Sequence, residues 1–509
     1  MKSKVNIVWL KRDVRWHDHA VLSYAEKSEI PVIIMYLFEP SMIGLPESDV
    51  RHWRFAFEGI TEFSSRAEQN RIVILYAEAL EVLHTIAAHY QINSLLSHQE
   101  TGLEATYRRD QKVRNWCKCN GTTWKTFARD GVIRNTIDRV GWQDHWEEYM
   151  NTAEFSSNPQ SIKFQEVDFS IFNPIWQQIP EIFQTRDENF QQGGEGKALK
   201  LLSSFSKERA TEYLRNLARP HESQSTCSRL SPYMAYGHIS ARRAYQISRD
   251  ARDGLGKNVD QFHDRLWWRC HYIQKLETEY QIEKNPINRG FVELEKPYRA
   301  DFFEAWSTGN TGFPMVDAAI RSLVTTGYIN FRMRAMLSTF WAFTLWQEWK
   351  IGAAHLARVF LDFEPGIHYP QFQMQAGMTG YHPLRIFNPI IQTEKYDEEG
   401  KFIRRWIPEL ERIPKQFLAR PWTLSAMEQL FYKTEIGVEY PLPIVNYDAA
   451  TRAAKEKYWD FRNSDAVRRH LPELWKKHSL PEDISNYVAE LKINPELVTK
   501  SIMYSSDRG

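Results

Sequence analysis

Between positions 360 and 408 the chain reads FLDFEPGIHYPQFQMQAGMTGYHPLRIFNPIIQTEKYDEEGKFIRRWIP. Two carboxylates (Asp362, Glu364), a histidine (His368) and several glutamines stand among aromatic residues. A buried carboxylate is costly unless something pairs with it, so this mixture is hard to explain as plain core. It suits the lining of a polar ligand with a flat, apolar body. Upstream, YINFRMR at 328–334 sets Arg332 and Arg334 two apart, on different sides of a helix. Arg334 is the natural partner of Asp362, because the guanidinium fork matches a carboxylate.

Two further segments could do chemistry. STCSRLSPYMAYGHIS at 225–240 gathers hydroxyls and an arginine ahead of a proline that can open a helix. Donors collected there make an anion site suited to a phosphate, with an ordinary cap by Ser228 or Ser231 as the plainer alternative. LWWRCHYIQK at 266–275 is an aromatic stripe which, at helical spacing, is core before it is a site. Lys207, Arg209, Arg215, Arg219, Arg229, Arg242, Arg243, Arg249 and Arg252 precede it with fewer acids among them. They form the local patch that a DNA backbone needs.

Other motifs fail on their own terms. GGEGK at 193–197 lacks a phosphate loop's first glycine, with Gln191 in that place, and Ala198 stands where Ser or Thr is required. It reads as a linker. Cys117 and Cys119 have no second pair, so no metal site is expected.

These residues must be positioned by two kinds of scaffold. Short β-branched or apolar runs at 5–10, 31–38, 71–77, 92–98 and 122–127 alternate with helical periods at 52–69, 81–90 and 105–118. The pattern predicts a doubly wound parallel α/β sheet over 1–130. Residues 131–198, rich in Pro, Asn, Gln and Ser, read as an interdomain linker wrapping the surface. Helical periodicity dominates from 199 to 480, predicting an all-helical second domain, with a C-terminal extension at 481–509 whose last residues fray.

At 509 residues the chain can bury more than one core. Its 65 basic and 64 acidic side chains nearly cancel, so nucleic-acid binding must come from a local patch. No signal peptide or membrane-spanning run is visible, and four cysteines suit a reducing compartment, so a cytoplasmic protein is expected.

In this order, WLKRDVRWHD, SRLSPYMAYGHIS, WWR, TGFPMVDAAIRSL, YINFRMR, FLDFEPG, RIFNP and FIRRWIPEL resemble the photolyase/cryptochrome family over nearly the full length. The resemblance implies an N-terminal antenna domain and a helical domain that holds FAD. Its phosphates would be held by Tyr213 and the run Ser228, Arg229, Leu230, Ser231, although Cys227 stands where the family has Thr. Arg334 and Asp362 match the ion pair over the flavin ring, Glu364 is a second acid beside it, and His368 occupies the position next to flavin N5. A histidine there can donate a hydrogen bond or carry charge.

The resemblance also implies an electron relay, in which Trp306 and Trp349 match and Phe372 replaces the flavin-proximal tryptophan. Photoreduction is then expected to be slow or rerouted through Tyr369, Trp341 or Trp346. Trp268 matches one aromatic of the lesion clamp, Met374 replaces the other, and Arg265 stands where cyclobutane enzymes carry Glu. Arg269, Arg332 and Arg385 are expected on DNA. The implied activity is light-driven repair of cyclobutane pyrimidine dimers by a cytoplasmic monomer that binds damaged DNA. A cryptochrome-type photoreceptor and a (6-4) photolyase are the alternatives; Asn330 and Phe331 stand where the latter carries a histidine pair. A second antenna chromophore of folate, deazaflavin or lumazine type is compatible.

Overall fold

β-branched runs covered on both faces give parallel strands, and the first 130 residues fold accordingly. The strands are β1 (Lys4–Leu10), β2 (Val32–Leu37), β3 (Ile72–Leu75), β4 (Gln91–His98) and β5 (Thr123–Phe127). They form one sheet of order β3-β2-β1-β4-β5 in which every pair is parallel. Helices Val50–Ser65, Ala79–His89 and Glu104–Cys119 cross over between strands, close to the positions that periodicity predicts. Winding reverses between β1 and β4, and the carboxyl ends of the strands open there into a crevice. The computed structural model describes residues 2–67, 72–481 and 483–484.

The stretch 131–198 is more ordered than the loose connection its composition suggests. It carries the helix Trp142–Asn151 and a run of 3-10 turns, and Phe172 is buried in the core beneath the sheet. The GGEGK strap docks tightly. Gly193 N donates to Glu58 Oε2 at 2.6 Å, Gly194 N to His238 Nδ1 at 3.0 Å and Gly196 N to Glu62 Oε1 at 2.6 Å. A Cβ on Gly193 would lie 2.2 Å from the Phe55 carbonyl oxygen, so glycine is needed for close approach.

From Glu195 onward the described chain is helical. The helix Pro314–Thr326 is buried on nearly every side at the centre of the largest apolar cluster. The long helix Lys257–Thr278 packs along Pro365–Gln375, which brings the aromatic stripe beside the FLDFEPG turn. Gly237, at φ 73°, lies against the Arg12 carbonyl, where a Cβ would sit 1.9 Å from the oxygen. Residues 485–509, with most of the expected C-terminal extension and its frayed end, lie outside the described residues. No described helix is long and apolar enough to cross a membrane.

Many histidines are buried here as neutral imidazoles. Burial pushes His52, His98 and His478 down to about 4, and desolvation does the same to the half-buried His355 and His368. The unfolded chain, near the ordinary 6.5, binds more protons in between. Their contribution to stability is therefore complete above about pH 6.5 and is lost as pH falls toward about 4. The urea midpoint is expected to drop steeply across that window. A flat midpoint there would show that these side chains are not held neutral.

Candidate functional site

Asn330 opens the helix Phe331–Thr339 by accepting from Met333 N at 3.3 Å, and this helix presents Arg334. Arg334 Nη2 meets Asp362 Oδ2 at 2.8 Å, its Nε donates to the Ile329 carbonyl at 3.1 Å, and its guanidinium lies 4.1 Å over the Phe360 ring. The other oxygen of Asp362, Oδ1, is buried without a hydrogen-bond partner. An acceptor in that state costs about 1–3 kcal/mol, more when charged, unless a donor reaches it. A polar ligand group with an N–H or O–H fits the position.

His368 lies on the helix Pro365–Gln375, with Nε2 2.8 Å from the Ala353 carbonyl. A carbonyl only accepts, so the imidazole proton sits on Nε2 and Nδ1 is left as an acceptor. Desolvation holds the group at about 4, so it is neutral at physiological pH. In this arrangement His368 offers a ligand an acceptor rather than a donor or a charge.

Glu364 lies at the domain boundary. Its Oε1 pairs with Arg12 Nη1 at 3.3 Å and its Oε2 with Arg269 Nη2 at 3.4 Å, while Arg129 stands at 4.0 Å. Both oxygens are engaged by arginines at the domain boundary. The same geometry removes Arg269 from any DNA surface, because it is buried between Glu364 and Asp130, the latter at 3.0 Å. Arg12 completes the junction by donating to the carbonyls of Phe363 and Ala235, each at 2.9 Å.

At the phosphate candidate, Arg229 adopts φ 60° and Leu230 follows in the right-handed region. This alternation turns successive N–H groups into a concave anion nest between Ser228 and Ser231. The Arg229 guanidinium lies 3.7 Å over the Tyr328 ring and donates to Gln191 Oε1 at 2.9 Å, which fixes the loop. Tyr213 is buried edge-on to Phe205 at 5.4 Å and hydrogen-bonds with Arg265.

On the outer face, Trp268 is 40% exposed, Tyr272 lies 5.7 Å from it, and the Tyr272 hydroxyl reaches Met374 Sδ at 3.5 Å. Arg265 is exposed one turn earlier. The structure thus brings Trp268, Arg265 and Met374 together, and adds Tyr272. Arg385 is exposed as expected of a DNA contact, but Arg332 is half-buried with its guanidinium 4.4 Å over Tyr396.

Parts of the wider basic patch are paired with acids. Arg242 pairs with Asp18 in the interior and Arg243 with Glu154, while Arg219 and Arg252 meet Glu398 and Asp260. Nearness in sequence is not nearness on the surface.

Trp306 is fully buried, 4.8 Å from Trp341 and 5.4 Å from His355. Trp349 is buried at the head of the helix Trp349–Val359, and Phe372 lies 6.2 Å from His368. At the β1/β4 crevice, Asp13 Oδ2 is 2.7 Å from His98 Nδ1 and 3.4 Å from His19 Nε2. His19 Nδ1 accepts from Leu22 N at 3.1 Å, so its proton is on Nε2 facing the carboxylate. The three buried side chains bring their ligand atoms within 4.8 Å of one another.

Between the sheet and the FLDFEPG turn lies a cleft of about 150 Å³, walled by Trp9, Tyr36, Trp53, Tyr236 and Phe363. Arg109 crosses its floor to Glu39 at 2.7 Å and Glu100 at 2.5 Å. Its walls come from distant parts of the chain, including residues of WLKRDVRWHD, SRLSPYMAYGHIS and FLDFEPG.

Comparison with known proteins accounts for this arrangement. Residues 6–138 match the family described as DNA photolyase and residues 262–460 the FAD binding domain of DNA photolyase. A deoxyribodipyrimidine photo-lyase of Alkalihalophilus pseudofirmus is 34% identical over 488 residues, covering 88% of this chain and 96% of that protein. The chain belongs to the photolyase/cryptochrome family. A bacterial class III photolyase from Agrobacterium tumefaciens has the same fold, at a TM-score of 0.79 and 22% identity over 91% of this chain and 99% of the other. So does an archaeal photolyase from Sulfolobus tokodaii, whose structure holds two FAD molecules, at 0.75 and 23% over 90% of this chain and 100% of the other.

The unpartnered Asp362 oxygen and the Arg229 nest fit the donors and phosphates of an FAD. Asp362→Asn, which breaks the charge pairing with Arg334, is expected to raise the dissociation constant for FAD by about tenfold or more, or about 1.4 kcal/mol. Titration of the apoprotein with FAD measures it. An unchanged constant would remove Asp362 from the cofactor site.

Proposed function

We propose that this chain repairs cyclobutane pyrimidine dimers in DNA, using light absorbed by reduced FAD. The observation that carries the reading is the exposed Trp268, with Tyr272 and Met374, on the helix pair that also bears His368. An apolar, aromatic face of this kind receives a base taken out of its stack, as enzymes acting on bases require, photolyases among them. Bound reduced FAD would supply an excited electron to the dimer.

The chain's own residues hold and shield. Arg334 and Asp362 orient one side of the ring system, the 228–231 nest takes the phosphates, and Arg265 and Arg385 offer exposed positive charge to the DNA backbone. His368 presents an acceptor, which suits a protonated ring nitrogen better than a bare one. Against the (6-4) alternative, Asn330 is engaged as a helix cap and in a bond to the Leu217 carbonyl at 3.1 Å, so the position offers no proton carrier.

The aromatic-walled cleft supports a second, flat chromophore. Its mixed charges, Lys11, Arg109, Glu39 and Glu100, favour a polar heterocycle over a hydrocarbon, without choosing among folate, deazaflavin and lumazine types.

Trp268→Ala is expected to weaken dark binding of an oligonucleotide with a single thymine dimer by about tenfold to a hundredfold, equivalent to about 1–3 kcal/mol of stacking. Undamaged DNA should bind equally to both proteins. Chemically reduced wild-type protein should restore the thymines under blue light. Absence of restoration with FAD bound would overturn the repair reading and favour a photoreceptor.

A further inference from the structure

Tyr369 points its hydroxyl across the domain boundary. Its phenol is buried on the helix Pro365–Gln375, and Oη donates to Glu47 Oε1 at 2.8 Å. Glu47 comes from the α/β part, 322 residues earlier, and is half-buried on the wall of the large cleft. The Tyr369 ring also meets His368 at 5.3 Å, edge-on at 81°. It therefore stands between the candidate flavin site and the cleft.

Phenol chemistry gives that position a use. Burial, together with the nearby carboxylates of Glu47 and Glu283, holds the Tyr369 proton well above the ordinary phenol range. An electron taken from this buried, neutral phenol would leave a radical cation in a poorly solvated place. A base that accepts the proton in the same event removes that cost, and a carboxylate is already hydrogen-bonded. The other rings around His368, those of Phe360, Phe363 and Phe372, have no ionisable hydrogen and are poor electron donors. Trp306 and Trp341 are buried against one another.

We propose that Tyr369 and Glu47 form a proton-coupled electron donor for the light-excited oxidised flavin. One electron leaves the Tyr369 phenol for the flavin as its hydroxyl proton crosses to the Glu47 carboxylate, leaving a neutral tyrosyl radical and a protonated Glu47. A small thiol entering the cleft returns a hydrogen atom to the tyrosyl oxygen and is itself oxidised to a thiyl radical, while Glu47 releases its proton toward the cleft. Photoreduction is thereby fed from the interdomain cleft. The inference rests on the FAD part of the reading above and is independent of the lesion.

The test uses full-length protein loaded with FAD, illuminated with blue light in the presence of a thiol. Transient absorption and electron paramagnetic resonance read the tyrosyl radical, which reports this side chain and not repair. Wild-type protein should give the tyrosyl signal, altered in line shape when tyrosine is supplied with a deuterated ring. Tyr369→Phe and Glu47→Gln, each removing one member of the pair, should lower radical yield and photoreduction rate by about tenfold or more, at unchanged FAD content. A wild-type protein slower in heavy water, with the effect lost in Glu47→Gln, would support the coupling. A tyrosyl signal and rate within about twofold of wild type in Tyr369→Phe would overturn the proposal, since a positioned base contributes far more than that. Repair of thymine dimers by dithionite-reduced wild-type protein is measured alongside. Its loss contradicts the repair reading alone, and the radical measurement decides the relay alone.

Discussion

A carboxylate with three arginines around it holds this molecule together. Glu364 is buried between Arg12 of the α/β part and Arg269 of the helical part, with Arg129 at 4.0 Å and Asp130 balancing Arg269 from the other side. Charges buried in this way are stable only as a set, because removing one partner leaves another uncompensated at a cost of about 3–5 kcal/mol. The turn that carries Glu364 also carries Asp362 two residues earlier, so the junction that docks the domains also sets where Asp362 faces Arg334. The docking of two cores and the geometry of the cofactor pocket are thus one constraint.

The same boundary produces the features that look functional. Around the cleft, ion pairs and backbone bonds tie the sheet's carboxyl edge to the FLDFEPG turn. Tyr369 can reach Glu47 only because that docking is tight. His52 Nε2, 2.9 Å from the Phe360 carbonyl, and Arg51, donating to the Val359 carbonyl at 2.7 Å, brace the end of the preceding helix from the α/β side. Motifs that mark the family therefore act, at Arg12 and at Asp18 with its buried Arg242, as structural clamps.

Much of the fold was legible because its signals are local. Strand and helix periods in the first 130 residues follow from alternation, and the observed elements begin and end within a few residues of them. The Arg334–Asp362 pair was also readable, since two residue types with matched geometry flank a polar cluster in an aromatic run. Features that depend on long-range packing were harder to read. Arg269 looked like a DNA contact because its neighbours in sequence are basic, yet its partner Glu364 lies 95 positions away. His368 looked able to carry charge, but its Nε2–H donates to a carbonyl fifteen residues earlier and desolvation keeps the ring neutral. The Tyr369–Glu47 bond has no local signature at all.

The claim that the domain junction sets the cofactor pocket is tested by Arg12→Met. Arg12 pairs with Glu364 and bonds the Phe363 carbonyl from the other domain, without being placed on the cofactor. FAD affinity, measured by titration of the apoprotein, is expected to fall by about tenfold or more while far-ultraviolet circular dichroism stays that of the wild type. Wild-type FAD affinity in a folded Arg12→Met protein would show that the pocket is built without the junction.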